Sequence, residues 1–391
     1  MNYTADEVIQ YIEEEDIQFI RLAFRDAFGV QKNVSIRPGE IRRAFEDGHP
    51  INAKAIRGYE GCRYASLYLK PDSSTMAVLP WRPDSGRVLR MICDIFTPCG
   101  EEFSADTRAV LKKAVSSALK EGIEFRFGTE TEFYLFTKDD EGRPTKKPYD
   151  QAGYMDIAPL DRCENVRREI SLAIERMGLV PERSHHERGP GQNEIDFHHG
   201  TPVTAADQMT AFKMAVSTVA DRFGLVADFS PMPLQGLPGN GYHINIYAAD
   251  SSGNDMVQYA AAGILSKIRE FTLFLNPSEE SYARFGKTTA PDRVNWSSAG
   301  ESELMYIENY KGKTRVELRS PDASGNPYLT NALLIHAGLY GIRNRLELPE
   351  EMDAHGERLP SSRKEAVELM QASSFVKEIL PEDIIRVYAG E

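Results

Sequence analysis

The sequence predicts an α+β fold in two parts, and two changes of pattern along the chain support this. Before residue 100, short segments alternate apolar and polar side chains, as half-buried strands do. From Asp106 onward, apolar residues recur every three or four positions over longer stretches, which indicates amphipathic helices separated by strands. A length of 391 residues allows more than one domain. We therefore expect one unit over residues 1–100 and a larger unit over residues 101–391.

The first unit begins with helical periodicity at Ala5–Glu15. Ile17–Ala23 and Gln31–Ile36 alternate on either side of Asp26–Gly29, a turn signal, which predicts a β-hairpin. The other expected elements are a short helix at Glu40–Glu46, strands at Ser66–Leu69, Met76–Pro80 and Arg87–Phe96, a loop at Lys70–Ser74, and a linker at Thr97–Gly100.

The second unit is expected to alternate helices with strands. Lys138–Tyr149 is polar and contains two prolines, so it is predicted to be a loop. The predicted helices are Thr107–Glu121, Asn165–Met177, Ala205–Phe223, Met256–Leu275, Pro327–Arg343, Ser362–Ala372 and Pro381–Tyr388. The predicted strands are Glu124–Phe136, Asn193–Phe197, Tyr242–Ala248 and Thr314–Arg319.

The composition excludes several classes of protein. A net charge of −13 disfavours nucleic acid or an anionic membrane as the main partner. No apolar stretch approaches the ~20 residues that span a bilayer, and the N-terminus lacks a signal-peptide pattern, so we expect a cytoplasmic protein. The four cysteines form no Cys-x-x-Cys pair and are expected to be reduced thiols: Cys62, Cys93, Cys99 and Cys163.

A pair of glutamates gives the first sign of chemistry. Glu130 and Glu132 are two apart in a predicted strand, so both project from the same face. Buried together they repel, and a divalent cation between them would remove that penalty. The alternative is that they lie on a solvated strand edge.

Another pair of carboxylates flanks a tight turn. Glu187 and Glu194 lie on either side of Gly189–Gly191, which can bring them back toward each other. His185 and His186 precede them, but adjacent strand residues point to opposite faces, so at most one could reach a metal. We expect both to be structural, and the same holds for His198-His199 at a strand end.

Two further segments place polar side chains on strands. His243 follows Gly239–Gly241, whose glycines permit a close backbone approach to a ligand, although a lone strand histidine is commonly a core residue. Arg315, Glu317 and Arg319 share one strand face, which would suit a metal ligand between two anion-binding groups. A cross-strand ladder of salt bridges explains the same pattern.

Taken together and in order, these segments resemble the signature segments of the glutamine synthetase family. The five are Gly128–Phe133, His185–Glu194, Gly239–His243, Asn276–Tyr282 and Arg315–Asp322. The resemblance extends from about Phe19 to about Tyr388 and includes Phe28–Val34, Leu67–Asp72, Pro80-Trp81, Ile92–Asp94 and Arg319–Leu329.

The resemblance implies a fold, a reaction and a set of cofactors. It implies an N-terminal β-grasp-like domain and a catalytic domain with a curved antiparallel sheet and flanking helices. It implies ATP and two or three Mg²⁺ or Mn²⁺ ions, with a carboxylate phosphorylated by ATP and the acyl phosphate then attacked by an amine. It places Glu132, Glu187 and Glu194 on one metal and Glu130, His243 and Glu317 on the other.

The resemblance also assigns residues to the substrates. Arg284 is implied to hold a substrate carboxylate, and Arg315 and Arg319 to meet phosphoryl oxygens. The nucleotide is expected to contact Arg315, Asn245, Tyr247 and His199. The implied assembly is a hexamer or dodecamer with active sites between subunits.

Several positions depart from the family pattern. Asn52 and Ala55 stand in a segment where an aspartate would help bind and deprotonate ammonium, and a neutral amide cannot act as that base. Thr289 stands where a flap glutamate is expected. Glu301 and Tyr306 replace two arginines, and we include Glu301 among the candidate catalytic residues because it could pair with a cationic amine.

These departures shape the expected function. The sequence predicts an ATP-dependent carboxylate–amine ligase that joins glutamate or a related carboxylate to an amine other than ammonia. Such an enzyme would be an inefficient glutamine synthetase. Two alternatives remain at this stage, a phosphotransferase on the same scaffold and a non-catalytic protein that binds metal or ligand.

Overall fold

The computed structural model describes residues 3–82, 85–288, 290–300, 302–352 and 356–390. The N-terminal part contains two helices and six strands, together with short 3₁₀ turns at Pro38–Glu40, Ala53–Ala55 and Ser73–Thr75. The helices are α1 (Ala5–Glu14) and α2 (Ile41–Glu46). The strands are β1 (Ile17–Arg25), β2 (Gln31–Ile36), β3 (His49–Asn52), β4 (Ser66–Pro71), β5 (Ala77–Val78) and β6 (Arg87–Phe96).

These six strands form one mixed sheet. Its order is β2-β1-β6-β4-β3, and β5 pairs with β6. The predicted hairpin is confirmed, because β1 and β2 pair antiparallel with Arg25 opposite Gln31. The Asp26 side chain closes the turn by accepting hydrogen bonds from the N–H groups of Phe28 and Val30. The β1 and β6 strands run parallel, which makes the sheet mixed.

The larger part contains nine helices and nine strands among the residues described. The helices are α3 (Thr107–Lys120), α4 (Glu164–Arg176), α5 (Pro202–Arg222), α6 (Val257–Leu275), α7 (Glu279–Arg284), α8 (Pro327–Asn344), α9 (Arg363–Ala372), α10 (Ser374–Ile379) and α11 (Glu382–Ala389). The strands are β7 (Ile123–Lys138), β8 (Pro144–Pro148), β9 (Pro181–His186), β10 (Gln192–Gly200), β11 (Leu225–Asp228), β12 (Tyr242–Asp250), β13 (Trp296–Ser297), β14 (Met305–Tyr310) and β15 (Lys313–Leu318).

The long strand β7 organises the second sheet. The sheet order is β13-β14-β15-β12-β7-β10-β9, with β8 and β11 also paired to β7. All pairs except β13 with β14 are antiparallel. Side chains alternate along β7, so Glu130 and Glu132 share one face while Thr129 and Thr131 face the other. Thr131 contacts Met209 of α5 at 3.5 Å, so α5 covers the face opposite the glutamates.

A close helix crossing supports the outer layer. A Cβ at Gly263 in α6 would lie 2.2 Å from the carbonyl oxygen of Ala337 in α8. A Cβ at Gly341 in α8 would lie 2.0 Å from the carbonyl oxygen of Tyr259. Only glycine permits the two backbones to approach this closely.

The structure differs from the sequence predictions at several strands. Lys138–Tyr149 was predicted to be a loop, but it includes the edge strand β8, which proline can enter because its missing N–H faces away from the partner. The predicted strand Met76–Pro80 shortens to Ala77–Val78. Strands without apolar alternation escaped prediction, notably β9, whose sequence Pro-Glu-Arg-Ser-His-His is polar.

One hydrophobic core passes through both parts of the chain. The backbone carbonyl of Ala27, in the N-terminal part, accepts hydrogen bonds from Asn326 (3.2 Å) and Tyr388 (3.4 Å) of the larger part. Within the described residues, no helix combines the length and the apolarity needed to cross a membrane. All four cysteines are unbridged in the structure, and their reduced state remains a prediction.

Candidate active site

Four neighbouring strands, β15, β12, β7 and β10, gather the acidic side chains and His243 at the middle of the second sheet. Glu130 on β7 lies opposite His243 on β12, and Glu132 lies opposite Glu194 on β10. Glu317 on β15 lies one strand further, opposite Asn245 of β12. The register therefore places five side chains that are far apart in sequence on a single face.

The first group of ligand atoms comprises Glu130, His243 and Glu317. All three residues are buried, and their ligand atoms lie within 4.8 Å of one another. The His243 Nδ1 atom is 3.4 Å from Glu317 Oε1 and 3.7 Å from Glu130 Oε2. The resemblance assigned these three residues to one metal, and the fold brings them together.

The second group surrounds Glu194. Its ligand atoms cluster with those of His185 and Glu187, and also with those of Glu132 and His243. The His185 ring lies 3.4 Å from Glu187 Oε1 and 3.3 Å from Glu194 Oε1. The three glutamates assigned to the other metal are therefore spread over two overlapping clusters that share Glu194.

His185 reaches this site although it was predicted to be structural. Of the two adjacent histidines, one was expected at most to face the acids, and the structure selects His185. His186 faces the other way, where its Nε2 lies 2.9 Å from Asp150. Alternation along β9 would have shown which of the two histidines faces the acids, but β9 was not predicted to be a strand.

The glycines before His243 allow neighbouring groups of the protein to pack against the backbone. A Cβ at Gly241 would lie 2.5 Å from His243 Nε2, and one at Gly239 would lie 2.4 Å from the carbonyl oxygen of Pro231. The Gly241 N–H donates to Glu132 Oε2 at 2.9 Å, and Gln192 donates to the same oxygen at 2.9 Å. Glu132 is thereby held in place by two donors.

Sequence reasoning missed a further carboxylate and a cation beside it. Asp196 lies opposite Glu130 and is buried. Arg183 of β9 hydrogen-bonds to Asp196 and lies 3.6 Å from Glu130 and 3.8 Å from Glu194. Asp196 could have been predicted from its position two residues after Glu194 in a strand, because both side chains then project from the same face.

The electrostatics show too much negative charge for the local cations. Burial, and then the nearby charge of Glu132, raises the pKa of Glu187 to about 8. Burial and the charge of Glu130 raise the pKa of Asp196 to about 7. Burial also tends to raise the pKa of Glu130, but the hydrogen bond and charge of His243 outweigh it and leave the pKa at about 2. Several of these acids therefore retain protons unless a cation joins them.

This donor set fits divalent metal ions. Carboxylate oxygens with one or two imidazoles suit Mg²⁺ or Mn²⁺. The raised pKa values of Glu187 and Asp196 are those of buried acids crowded by other carboxylates. A bound ion would supply neutralisation of negative charge in the reacting groups. The residues available to hold it are Glu130, Glu132, Glu187, Glu194, His243 and Glu317.

Two arginines at the site have unused donors. Arg315 lies 3.5 Å from Glu130 and 3.3 Å from Glu308, and Arg319 pairs with Glu317. The Nε atoms of Arg315 and Arg319 are buried and have no hydrogen-bond partner among the residues that the structure describes. An oxyanion beside them would satisfy those donors.

Arg284 is held differently. It is buried and donates to the backbone carbonyls of Ser320 (2.9 Å), Arg319 (3.0 Å) and Pro321 (3.3 Å). This conformation fixes the segment that follows β15. Its predicted contact with a substrate carboxylate remains a prediction, and it requires that some of these donors turn toward the substrate.

The residues predicted to contact the nucleotide lie along the same sheet. Asn245 donates to Glu130 Oε1 at 2.9 Å, and its own Oδ1 is buried without a partner. His199 packs on Tyr247 with ring centroids 4.9 Å apart. The backbone of Gly128 passes close to His199 and Asn245, since a Cβ at this position would lie 3.4 Å from His199 and 3.5 Å from Asn245.

The positions that depart from the family pattern are spread over the molecule. Asn52 is exposed at the end of β3, and its side chain accepts a hydrogen bond from the Lys54 N–H at 3.0 Å. Tyr306 lies opposite Glu317 on β14. Thr289 and Glu301 lie outside the described residues, so their predicted roles remain predictions.

A fold with a β-grasp-like sheet, a curved antiparallel sheet and a metal-ligand face of this kind defines a class of ATP-dependent ligases that join carbon to nitrogen. Two family models match the chain. The glutamine synthetase beta-Grasp domain matches residues 16–98, and the glutamine synthetase catalytic domain matches residues 104–390. The chain belongs to the glutamine synthetase family, whose members use ATP with Mg²⁺ or Mn²⁺ and act on small molecules.

Individual relatives support the same assignment. The chain is 39% identical to a glutamine synthetase of Methanosarcina mazei, over 98% of this chain and 92% of that protein. It is 37% identical to a glutamine synthetase of Clostridium saccharobutylicum, over 99% of this chain and 94% of that protein. It resembles a structure of GmaS in complex with ADP, with a TM-score of 0.89, 24% identity, and coverage of 100% of this chain and 94% of that one.

Proposed function

We propose that this protein is an ATP-dependent ligase that joins glutamate, or a related carboxylate, to an amine other than ammonia. Membership of the glutamine synthetase family supports the ligase chemistry. Phosphorylation of the carboxylate by ATP gives an acyl phosphate, and attack by the amine releases phosphate and forms the amide. The ligand face built by β7, β10, β12 and β15 supports this reaction, because its overlapping groups of acids could hold metal ions, which would neutralise negative charge on the reacting phosphoryl group.

The residues of this chain have distinct tasks in that reaction. Arg315 and Arg319 would contact phosphoryl oxygens through donors that have no partner within the protein. Arg284 would hold the carboxylate substrate. His199 and Tyr247, already in ring contact, would support the nucleotide together with Asn245.

The proposal of an amine other than ammonia rests on Asn52. An amine must lose a proton before or during attack, and a carboxylate can accept that proton whereas an amide cannot. Asn52 uses its oxygen to accept a hydrogen bond from the Lys54 N–H, so even its acceptor is engaged. An amine with a larger hydrocarbon part would gain binding energy that ammonium cannot obtain.

Synthesis of glutamine from ammonium is the second candidate. It is favoured by the identity of 35–39% to proteins named glutamine synthetase over nearly the whole chain. The two candidates share every step except the identity of the amine, so one assay separates them.

The deciding experiment measures ADP release and amide formation with glutamate, ATP and Mn²⁺ or Mg²⁺. Ammonium, a monoalkylamine and a diamine are compared at equal concentration. We expect the organic amines to give the higher kcat/KM. Asn52→Asp should raise the use of ammonium, and Asn52→Ser serves as the uncharged control. Glutamine formation at the rate of an ordinary synthetase assayed alongside would instead establish the second candidate.

We also propose that the active site is completed by a second copy of the chain in a hexamer or dodecamer. Within the described residues, Asn52 makes no hydrogen bond to the metal-ligand face, and it is exposed. A mixture of Glu132→Ala and Asn52→Trp subunits should regain part of the activity, because some sites combine an intact face with an intact loop. A protein that is monomeric by light scattering at assay concentrations would contradict this proposal.

A further inference from the structure

A cavity of about 1040 Å³ lies between the two parts of the chain, away from the candidate active site. Residues of β5 and β6 line it from the N-terminal part, and residues of α3 and α5 line it from the larger part. None of the predicted metal ligands is among its lining residues. Its volume is sufficient for a small organic molecule.

Arg90 on β6 lines this cavity and is only 5% exposed. Its side chain makes no hydrogen bond or ion pair with any residue that the structure describes, and its Nε atom is among the buried atoms without a partner there. A buried charge without a partner is costly. An arginine in this position therefore calls for a ligand that supplies the missing acceptors.

Two other cations that line the cavity, Arg108 and Lys112, are already neutralised by acids. Arg108 pairs with Asp72 at 2.8 Å, Asp94 at 2.6 Å and Asp207 at 2.9 Å. Lys112 pairs with Asp94 at 2.6 Å. The network around Arg108 is complete without Arg90.

Asp207 is the acid that acts most strongly on Arg90, but its oxygens are engaged. Burial lowers the pKa of Arg90, and the charge of Asp207 opposes that change. Arg108 occupies both oxygens of Asp207, and the Tyr328 hydroxyl donates to one of them at 2.6 Å. Arg90 therefore has no free carboxylate among its described neighbours.

Gln208 gives a second, independent sign of a ligand. This α5 residue lines the same cavity, and its Oε1 atom is buried without a donor. If the amide is turned by 180°, the buried atom becomes an NH₂ group that lacks an acceptor instead. In both orientations, a polar group of the same cavity lining lacks a partner among the described residues.

We propose that this cavity is a second binding site, for a small oxyanion of the carboxylate or phosphate class, held by Arg90 and Gln208. A guanidinium group binds either anion through two parallel hydrogen bonds. The anion would contact both parts of the chain, so its binding stabilises their association. This proposal does not depend on which amine the active site uses.

The test measures binding of inorganic phosphate and of malonate to the full-length protein by calorimetry and by melting temperature. EDTA is present so that anions cannot bind through metal ions at the active site. We expect at least one anion to bind and to raise the melting temperature. Phosphate alone would identify a phosphate site, and malonate alone a carboxylate site.

Arg90→Met distinguishes a ligand-binding role from a structural one. We expect it to weaken anion binding about tenfold or more, and to raise the melting temperature of the anion-free protein because an uncompensated charge is removed. Gln208→Leu should weaken binding several-fold and keeps the proposal testable if Arg90→Met fails to fold. Arg43→Ala, which removes an exposed arginine, is the control and should bind normally.

Three results would overturn the proposal. The first is that neither anion binds the wild-type protein. The second is unchanged binding in both Arg90→Met and Gln208→Leu. The third is binding that Arg315→Ala abolishes while Arg90→Met retains it, since that would place the anion in the active site.

Discussion

His186 and Glu187 are neighbours in the chain, but they belong to two different clusters of potential metal ligands. Glu187 joins the acids of the candidate active site. His186 faces the opposite side and joins Asp150, Asp161 and Cys163, four buried groups whose ligand atoms also lie within 4.8 Å. By distance and burial alone, the second cluster is as good a metal site as the first.

Hydrogen bonding separates the two clusters. Asp150 accepts hydrogen bonds from the Gly191 N–H at 2.8 Å and from His186 at 2.9 Å, and Cys163 donates to it at 3.2 Å. Arg167 pairs with Asp161 through both of its terminal nitrogens. Every ligand atom of this cluster already has a partner within the protein.

The active-site cluster has no comparable compensation. Six carboxylates face three guanidinium groups: Glu130, Glu132, Glu187, Glu194, Asp196 and Glu317 against Arg183, Arg315 and Arg319. Part of the ligand set also carries raised pKa values. Unsatisfied charge, and not the spacing of the ligands, therefore distinguishes the candidate active site from the second cluster.

The largest expected effect comes from breaking the compensated cluster. Asp161→Ala should lower the free energy of unfolding by about 3–5 kcal/mol, because Arg167 would remain buried without a counter-charge and with only the neutral Asn193 side chain as a partner. The matched change Glu194→Gln in the metal-free protein should cost little or be stabilising, since it removes a repelling charge. Urea denaturation with EDTA present measures both.

Equal losses in these two variants would remove the distinction between the clusters. A large loss in Glu194→Gln alone would reverse it. In that case the Asp150 cluster would become the better metal candidate, and its occupancy should be checked by elemental analysis.

The next effect concerns metal. Mn²⁺ at a hundred times its Kd should stabilise the wild-type protein by about 2.7 kcal/mol for each site. Glu132→Ala and Glu317→Ala should lose most of this gain, whereas Cys163→Ala should retain it because its cluster needs no ion. Melting temperatures with and without Mn²⁺ measure the difference. Loss of the gain in Cys163→Ala would show that the second cluster holds metal.

The sequence predicted much of the fold and of this site, but for different reasons. Long periodic helices such as α5 and the hairpin of β1 and β2 are visible in local patterns. The glutamate pair at positions 130 and 132 also follows from period two. The family resemblance supplied the rest of the ligand set, since nothing local connects His243 with Glu130.

What escaped prediction depends on pairing between distant strands. Strand β9 is polar, so neither the strand nor its register beside β10 could be predicted. The roles of His185 and Arg183, which both lie on β9, were missed for the same reason. The engagement of Arg284 by three carbonyls depends on the chain after β15, and no pattern near residue 284 encodes it.

The acids of the two clusters should also respond to pH in opposite directions. Glu187 and Asp196 have raised pKa values, about 8 and about 7, so the metal-free folded state binds protons more tightly than the unfolded chain. Their contribution to stability therefore falls as pH rises from about 4 to about 8. Asp150 has a lowered pKa through His186, even though burial alone would raise it, so its contribution is lost only in acid.

Denaturation of the metal-free protein between pH 5 and pH 8.5 tests this difference. The wild-type protein should lose stability across this range. A double variant, Glu187→Gln with Asp196→Asn, should lose less. Saturating Mn²⁺ should reverse the slope, since the metal binds the deprotonated ligands. An identical slope in the wild-type protein and the double variant would contradict the assignment of these two acids.

The smallest effect concerns Arg183, whose guanidinium lies near Glu130, Glu194 and Asp196. Its side chain is 55% exposed, so solvent weakens its attraction to Glu130 and Glu194, and Arg183→Gln should cost the metal-free protein only about 0–1 kcal/mol. The same change should strengthen Mn²⁺ binding several-fold, because the guanidinium competes with the metal for those carboxylates. Arg143→Gln, which removes another exposed and ion-paired arginine, is the control and should leave Mn²⁺ affinity unchanged. If Arg183→Gln weakens Mn²⁺ binding, Arg183 positions the ligands instead of competing for them, and its pairing with Asp196 becomes part of the metal site.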